Sequence, residues 1–370
     1  MKPLCRPVIA LLVMLLLRAA STNVEAQDTK ASQAAGSATP ISFANASALA
    51  SQGKLDQALS ALNELAKAQP EEPGVERLRG MIFYQRDQFE EAQAAFARAA
   101  TQDLADHQSR EMQGITLYRM GRPKEAIPLL EIIKTAPVSA SKANPNSTQK
   151  GETNPGSNAD PQYVLGLCYT DVQRYDDARR AFASQFNFPP DSAEAYLVAA
   201  RLFLRREFAD QAAHFAQKAV ELNPALPLAH QLLGEVALAK ADLPLAVKEL
   251  EAERSLNPLN GAMYDRLGDA YIRNGQFEEA RIALNKAILL EPNATGPYIL
   301  LGEALVRLGD PIQALHYLHR AVGMDPANYV THTILGEAYR SLGQLADANR
   351  EYKLAVAIQH KNDPQPAQVH

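Results

Sequence analysis

Of the eight histidines in this 370-residue chain, only His316 and His319 stand close together on one helical stretch. Imidazoles three residues apart share a helix face and could hold a metal ion if a third donor approached. No carboxylate or cysteine pattern accompanies them, so an ordinary exposed helix face is the plainer expectation. His230 and His332 occupy equivalent positions, described below, where a large packing residue is expected, and are read as structural. The chain has no Gly-rich phosphate loop, no Gly-x-Ser-x-Gly elbow, no His-Glu-x-x-His and no Cys-x-x-Cys. No cofactor is therefore expected, and a metal-dependent enzyme remains only the less favoured alternative.

The elements that would carry any site follow from a repeat. In Gly261 to Ala294, Tyr264, Leu267, Gly268 and Tyr271 fall on one helical face, and Ala280, Leu284 and Ala287 repeat that spacing beyond Asn274-Gly275. The stretch reads as two antiparallel helices, A and B. Thirty-four residues later Tyr298, Leu301, Gly302, Ala314, Leu318, Ala321 and Pro326 fill the same positions. Units begin at 39, 73 and 107, then, after an interruption, at 159, 193, 227, 261, 295 and 329.

Position twenty of the unit is alanine in all nine copies: Ala58, Ala92, Ala126, Ala178, Ala212, Ala246, Ala280, Ala314 and Ala348. Position eight is glycine or alanine in every copy, although glycine inside a helix costs about 1 kcal/mol against alanine. Smallness at these positions implies that helices A and B cross closely, so that anything larger than a methyl group would hold them apart. Pro70, Pro190, Pro224, Pro258, Pro292 and Pro326 close six units, since proline disfavours helix at the residue before it.

Large residue, Leu-Gly, Tyr, Ala, Leu, Ala and Pro at fixed offsets in 34 residues resemble the tetratricopeptide repeat. The resemblance covers Thr39 to Asn362 apart from the interruption. It implies an all-α fold, a right-handed superhelical α-solenoid of about nine helix-turn-helix repeats, with A helices lining a concave groove that holds a peptide or partner helix. Some copies depart from the pattern. Gln113 replaces leucine, Pro128 falls inside a B helix and should kink or shorten it, and Gln185 and Glu253 replace a small apolar residue, which should loosen their helices.

The remaining segments are punctuation. Residues 1–26, with Lys2 and Arg6 before the apolar run Val8 to Leu17 and small residues at Val24 and Ala26, read as an export signal. The ten-residue run is half of the ~20 needed to span a bilayer, so no membrane span is expected once the signal is cut. Export to the periplasm or cell exterior follows. Residues 27–38 form a linker, 141–158 a polar insert rich in Asn, Pro, Gly and Ser, and 363–370 a tail; the repeats divide into 39–140 and 159–362. Cleavage leaves Cys168 as the sole cysteine, which excludes an intramolecular disulfide, and its neighbours suggest burial.

The formal net charge is −5; losing Lys2, Arg6, Arg18 and Glu25 removes a net +2 and leaves −7. With no clustered basic surface, nucleic acid is not an expected partner. On the family's groove-facing positions (two, five, nine and twelve of helix A), the first four units carry Phe43, Met81, Tyr84, Ile115, Tyr118, Tyr163 and Leu167. In the last four units position nine reads Glu235, Asp269, Glu303 and Glu337, with Asp265 beside them and Arg273, Arg307 and Arg340 on the same helices. Tyrosines that grip apolar side chains and carboxylates that attract basic ones would suit a protein or peptide partner. The plainer account of the carboxylates is solvated residues paired with arginines three or four positions away. The Lys and Asn pattern that clamps a C-terminal carboxylate in some family members is missing. The chain is thus expected to be a non-catalytic scaffold for another protein, with weak self-association or structural self-assembly as the alternative.

Overall fold

The computed structural model describes residues 41–67, 72–135 and 160–362. The expected signal, linker, polar insert and tail, together with Pro70, lie outside the described residues. Within the unit Ser42–His370 the described residues form helices and no strand. They pair in order as α1 (Phe43–Ser51) with α2 (Leu55–Leu65), α3 (Val75–Gln85) with α4 (Phe89–Gln102), and α5 (His107–Arg119) with α6 (Pro123–Thr135). Next come α7 (Pro161–Asp171) with α8 (Tyr175–Gln185), α9 (Ala193–Arg205) with α10 (Ala209–Leu222), and α11 (Ala229–Ala239) with α12 (Leu243–Leu256). The last are α13 (Gly261–Arg273) with α14 (Phe277–Leu290), α15 (Thr295–Arg307) with α16 (Pro311–Met324), and α17 (Tyr329–Ser341) with α18 (Leu345–Asn362). This is an all-α repeat solenoid.

Local chemistry sets the helix ends. Ser42, Asp106, Asp160, Ser192, Asn260 and Asn328 each accept a hydrogen bond from a backbone N–H of the first turn of an A helix. At the other end, position fifteen of every unit has positive φ, from +58° to +79°. Glycine fills it in five units, and Asp87, Gln173, Glu207 and Ala241 fill it in the other four. In unit seven Gln276 N–H reaches back to the Tyr271 carbonyl at 2.8 Å, which closes the left-handed cap.

The core sits between each A helix and its B helix. All nine alanines of position twenty are buried. The reason for smallness at position eight is sharper than backbone approach alone: a Cβ on Gly268 would lie 2.5 Å from Leu284 Cγ, and one on Gly234 would lie 2.6 Å from Leu250 Cγ. Position eight receives the large side chain of position twenty-four of its own unit, so at these positions even a methyl group is too large. Unit five reverses the arrangement, with Ala200 against a buried Ala216 and the volume supplied by Phe203 and Phe215, 5.1 Å apart edge to face.

Side chains also tie each unit to the one before it. His230 Nε2 faces the Pro224 carbonyl at 3.1 Å while Nδ1 meets Glu249 at 2.7 Å; His332 repeats this with Pro326 and Glu351. Tyr298 donates its hydroxyl to the Pro292 carbonyl from the same position. These histidines are structural, as their register implied. Cys168 is fully buried, and burial, with Asp171 beside it, pushes its thiol up to about 12.

One departure resolves differently from expectation. Glu253 does not loosen its helix: it is fully buried, accepts hydrogen bonds from the backbone N–H groups of Leu228 and Gln231, and binds the Asn257 amide. Its carboxylate caps α11, whose preceding residue, Leu228, sits at φ +69° and offers no capping side chain. Pro128 lies inside α6, which continues past it to Thr135. Gln185 is the last residue of α8, which is three residues shorter than the 14-residue α10.

Candidate partner-binding groove

Successive A helices touch across the stack, as α1 with α3, α5 with α7, α9 with α11, and α11 through α17 in sequence, whereas among the described residues no two successive B helices pack comparably. Helices that are closer together on one side form its inner surface. The exposed faces of the A helices therefore line the groove.

Along its first part, Tyr84, Tyr118 and Tyr163 are all half-buried. The Tyr84 ring lies edge-on to Phe89 at 5.6 Å, and Arg119 of the next unit covers the other partner of that pair, its guanidinium 5.3 Å from the Phe89 ring. Burial raises the Tyr84 hydroxyl's pKa, with Arg119 acting against it. Tyr118 is raised by burial too, and beside it Arg206 of unit five meets Asp171 of unit four at 2.6 Å. Tyr163 packs against Phe182 at 5.9 Å. Ile115 is core rather than groove, only 1% exposed. The aromatic run is thus a set of anchored, half-buried rings.

In the later part the carboxylates are drawn into one electrostatic row. Burial raises the Glu303 carboxyl above its ordinary value; Arg307 opposes this, and Glu337 and Asp269, one unit away on either side, reinforce it. Asp269 is held by Arg273 at 2.9 Å, so the expected pairing along one helix exists there. Glu235 is less firmly held, accepting from the Gln231 amide at 2.8 Å and standing 4.0 Å from Arg266. Asp265 lies deepest. Its Oδ1 is buried with no hydrogen-bond partner, and burial raises its pKa, with Asp269 and Glu291 adding and Arg266 opposing. Gly296 of the next unit faces that oxygen, and a Cβ there would lie 3.4 Å from it.

Between the two parts lies unit five, whose position nine is Arg201. It is half-buried and makes no ion pair or hydrogen bond among the described residues. Reading the same position through every unit would have found it. Glu111, raised by burial with Asp160 adding to it, is a further half-buried carboxylate on the groove side.

Elsewhere, His316 and His319 are exposed; His319 meets the Tyr339 hydroxyl at 3.0 Å, and no group of three or more His, Cys, Asp or Glu among the described residues could hold a metal ion. A crevice of about 470 Å³ opens on the outer side between α12 and α14, walled by Ile282 and Leu289 with Tyr264 and Tyr271 at its base. No described helix is long and apolar enough to cross a membrane.

Sequence models of the tetratricopeptide repeat match residues 43–106, 77–140, 163–227 and 299–365, and a further one matches 262–294, together well over half of the chain. The chain belongs to the tetratricopeptide repeat family. No curated protein sequence matches this repeat protein. Among solved structures it is similar in fold to YrrB, described as a tetratricopeptide repeat protein with an unusual peptide-binding site, at 23% identity and TM-score 0.43, over 50% of this chain and 95% of that one. It is also similar to MamA from Desulfovibrio magneticus RS-1, at 20% and 0.43 over 47% and 98%, and to the Cut9-Hcn1 tetramer of APC/C, at 17% and 0.45 over 83% and 57%.

Proposed function

We propose that this tetratricopeptide repeat protein is an exported, non-catalytic scaffold that holds an extended peptide or partner helix of another protein in its groove. The observation that carries the reading is the row of half-buried tyrosines, Tyr84, Tyr118 and Tyr163, presented from successive A helices. Tyrosine supplies large contact area at low entropic cost and marks interfaces. Export rests on the character of residues 1–26, and destination on the same grounds is the periplasm or cell exterior. Capture of partners from the producing cell by wild type and by Tyr84→Ala/Tyr118→Ala tests the reading: loss of a partner supports it, and unchanged capture of every partner sinks it.

A second reading, weak self-association, is favoured by α18. Leu345 and Val356 are 61% and 52% exposed, whereas their equivalents Phe277 and Ile288 in unit seven are half-buried against the core. Light scattering across concentrations separates the two, since a strict monomer removes self-association.

A further inference from the structure

Position nine of the A helices runs along the groove side, and its sequence along the described units is Ser47, Met81, Ile115, Leu167, Arg201, Glu235, Asp269, Glu303 and Glu337, of which Ile115 is turned into the core. The row begins small and apolar, passes one unpaired cation and ends in four carboxylates. The ordering is not self-compensating. Among the described residues Arg201 has no ion-pair or hydrogen-bond partner, Glu303 stands between two other carboxylates, and the buried Oδ1 of Asp265 faces the same side without a hydrogen bond. Each is a group whose environment improves when opposite charge arrives: desolvated charge lacks solvent compensation, and groove walls of low polarity strengthen attraction to an incoming ion.

We infer that the groove takes its partner segment in one direction only, with apolar side chains over Tyr84, Tyr118 and Tyr163, a carboxylate at Arg201, and basic side chains over Asp269, Glu303 and Glu337. The inference rests on the groove reading above and adds to it the chemistry and polarity of the occupant. Neighbouring helices pack roughly 8–10 Å apart, so the seven steps from unit two to unit nine span about 56–70 Å. An extended segment covers that with about 20 residues. The reverse direction would put basic residues against the tyrosine end and apolar ones over the half-buried carboxylates, where desolvation without compensating charge opposes binding.

The test uses two fluorescein-labelled synthetic peptides of about 20 residues. Both carry a Leu/Phe-rich first third and a central glutamate; the last third is lysine in one and glutamate in the other. Anisotropy at low salt should give the lysine peptide about tenfold tighter binding, from several partly exposed ion pairs acting together. High salt and the Asp269→Asn/Glu303→Gln/Glu337→Gln variant should each abolish that preference. Arg201→Ala should weaken only peptides that keep the central glutamate. A photo-reactive group on the lysine end should label α13 to α17, and one on the apolar end α3 to α7. Equal binding of both peptides, unchanged by the triple variant but weakened by Tyr84→Ala/Tyr118→Ala, overturns the polarity and leaves the groove reading standing. Binding indifferent to both sets of substitutions, or no binding of either peptide, overturns the two together.

Discussion

Gly268 lies directly beneath Leu284, so that a Cβ on the glycine would come within 2.5 Å of the leucine Cγ. Leu284 is fully buried and has nowhere to move. Gly268→Ala should therefore cost ~1–3 kcal/mol in overpacking, offset by the ~1 kcal/mol that alanine gains in helix propensity. Gly323 near the end of α16 has nothing within 4 Å of its own Cβ position, and Gly323→Ala should stabilise instead. Urea midpoints of the two variants should move in opposite directions; a common direction contradicts the packing account.

The left-handed position between A and B helices makes a second prediction. Ala241 holds φ +58°, a conformation that costs a non-glycine residue ~1–2 kcal/mol, whereas glycine's extra freedom in the unfolded chain costs roughly 0.5–1 kcal/mol. Ala241→Gly should raise stability by up to about 1 kcal/mol, and Gly275→Ala at the equivalent φ +78° should lower it similarly. Denaturant midpoints that fail to separate this pair would remove the assignment.

Much of this was legible in the residues. The alanine of position twenty, the turn at Asn274-Gly275 and the proline punctuation report constraints within a single unit, and those repeat. The left-handed turn was legible only where glycine marks it, because Asp87, Gln173, Glu207 and Ala241 carry no such signal. Glu253 looked like a flaw in its helix, since the backbone N–H groups it caps lie over twenty residues away in sequence and meet it only once α11 and α12 pack. The pairing of Asp269 with Arg273 follows from helical spacing, but the isolation of Asp265 Oδ1 depends on its burial depth, which spacing does not reveal.

Asp265 also gives a pH prediction. Burial raises this carboxyl, so its ionisation penalises the folded state. The sign follows from linkage: below the ordinary value of 3.8 neither state is ionised and there is no penalty, and above the raised folded value the penalty is complete. Asp265→Asn should thus raise the thermal midpoint at neutral pH, with an advantage that shrinks as pH falls toward 3.8. An advantage independent of pH would mean the carboxylate is not the cause.

The central claim is that the partner lies in the groove rather than against the outer side of the stack. A photo-crosslinking residue placed singly at Tyr84, Tyr118 or Tyr163, and at the exposed outer positions Ile282 and Leu289, tests it in the producing cell. The account predicts a discrete adduct of one partner protein from the three groove positions and none from the two outer ones. Adducts from Ile282 and Leu289 alone would contradict it.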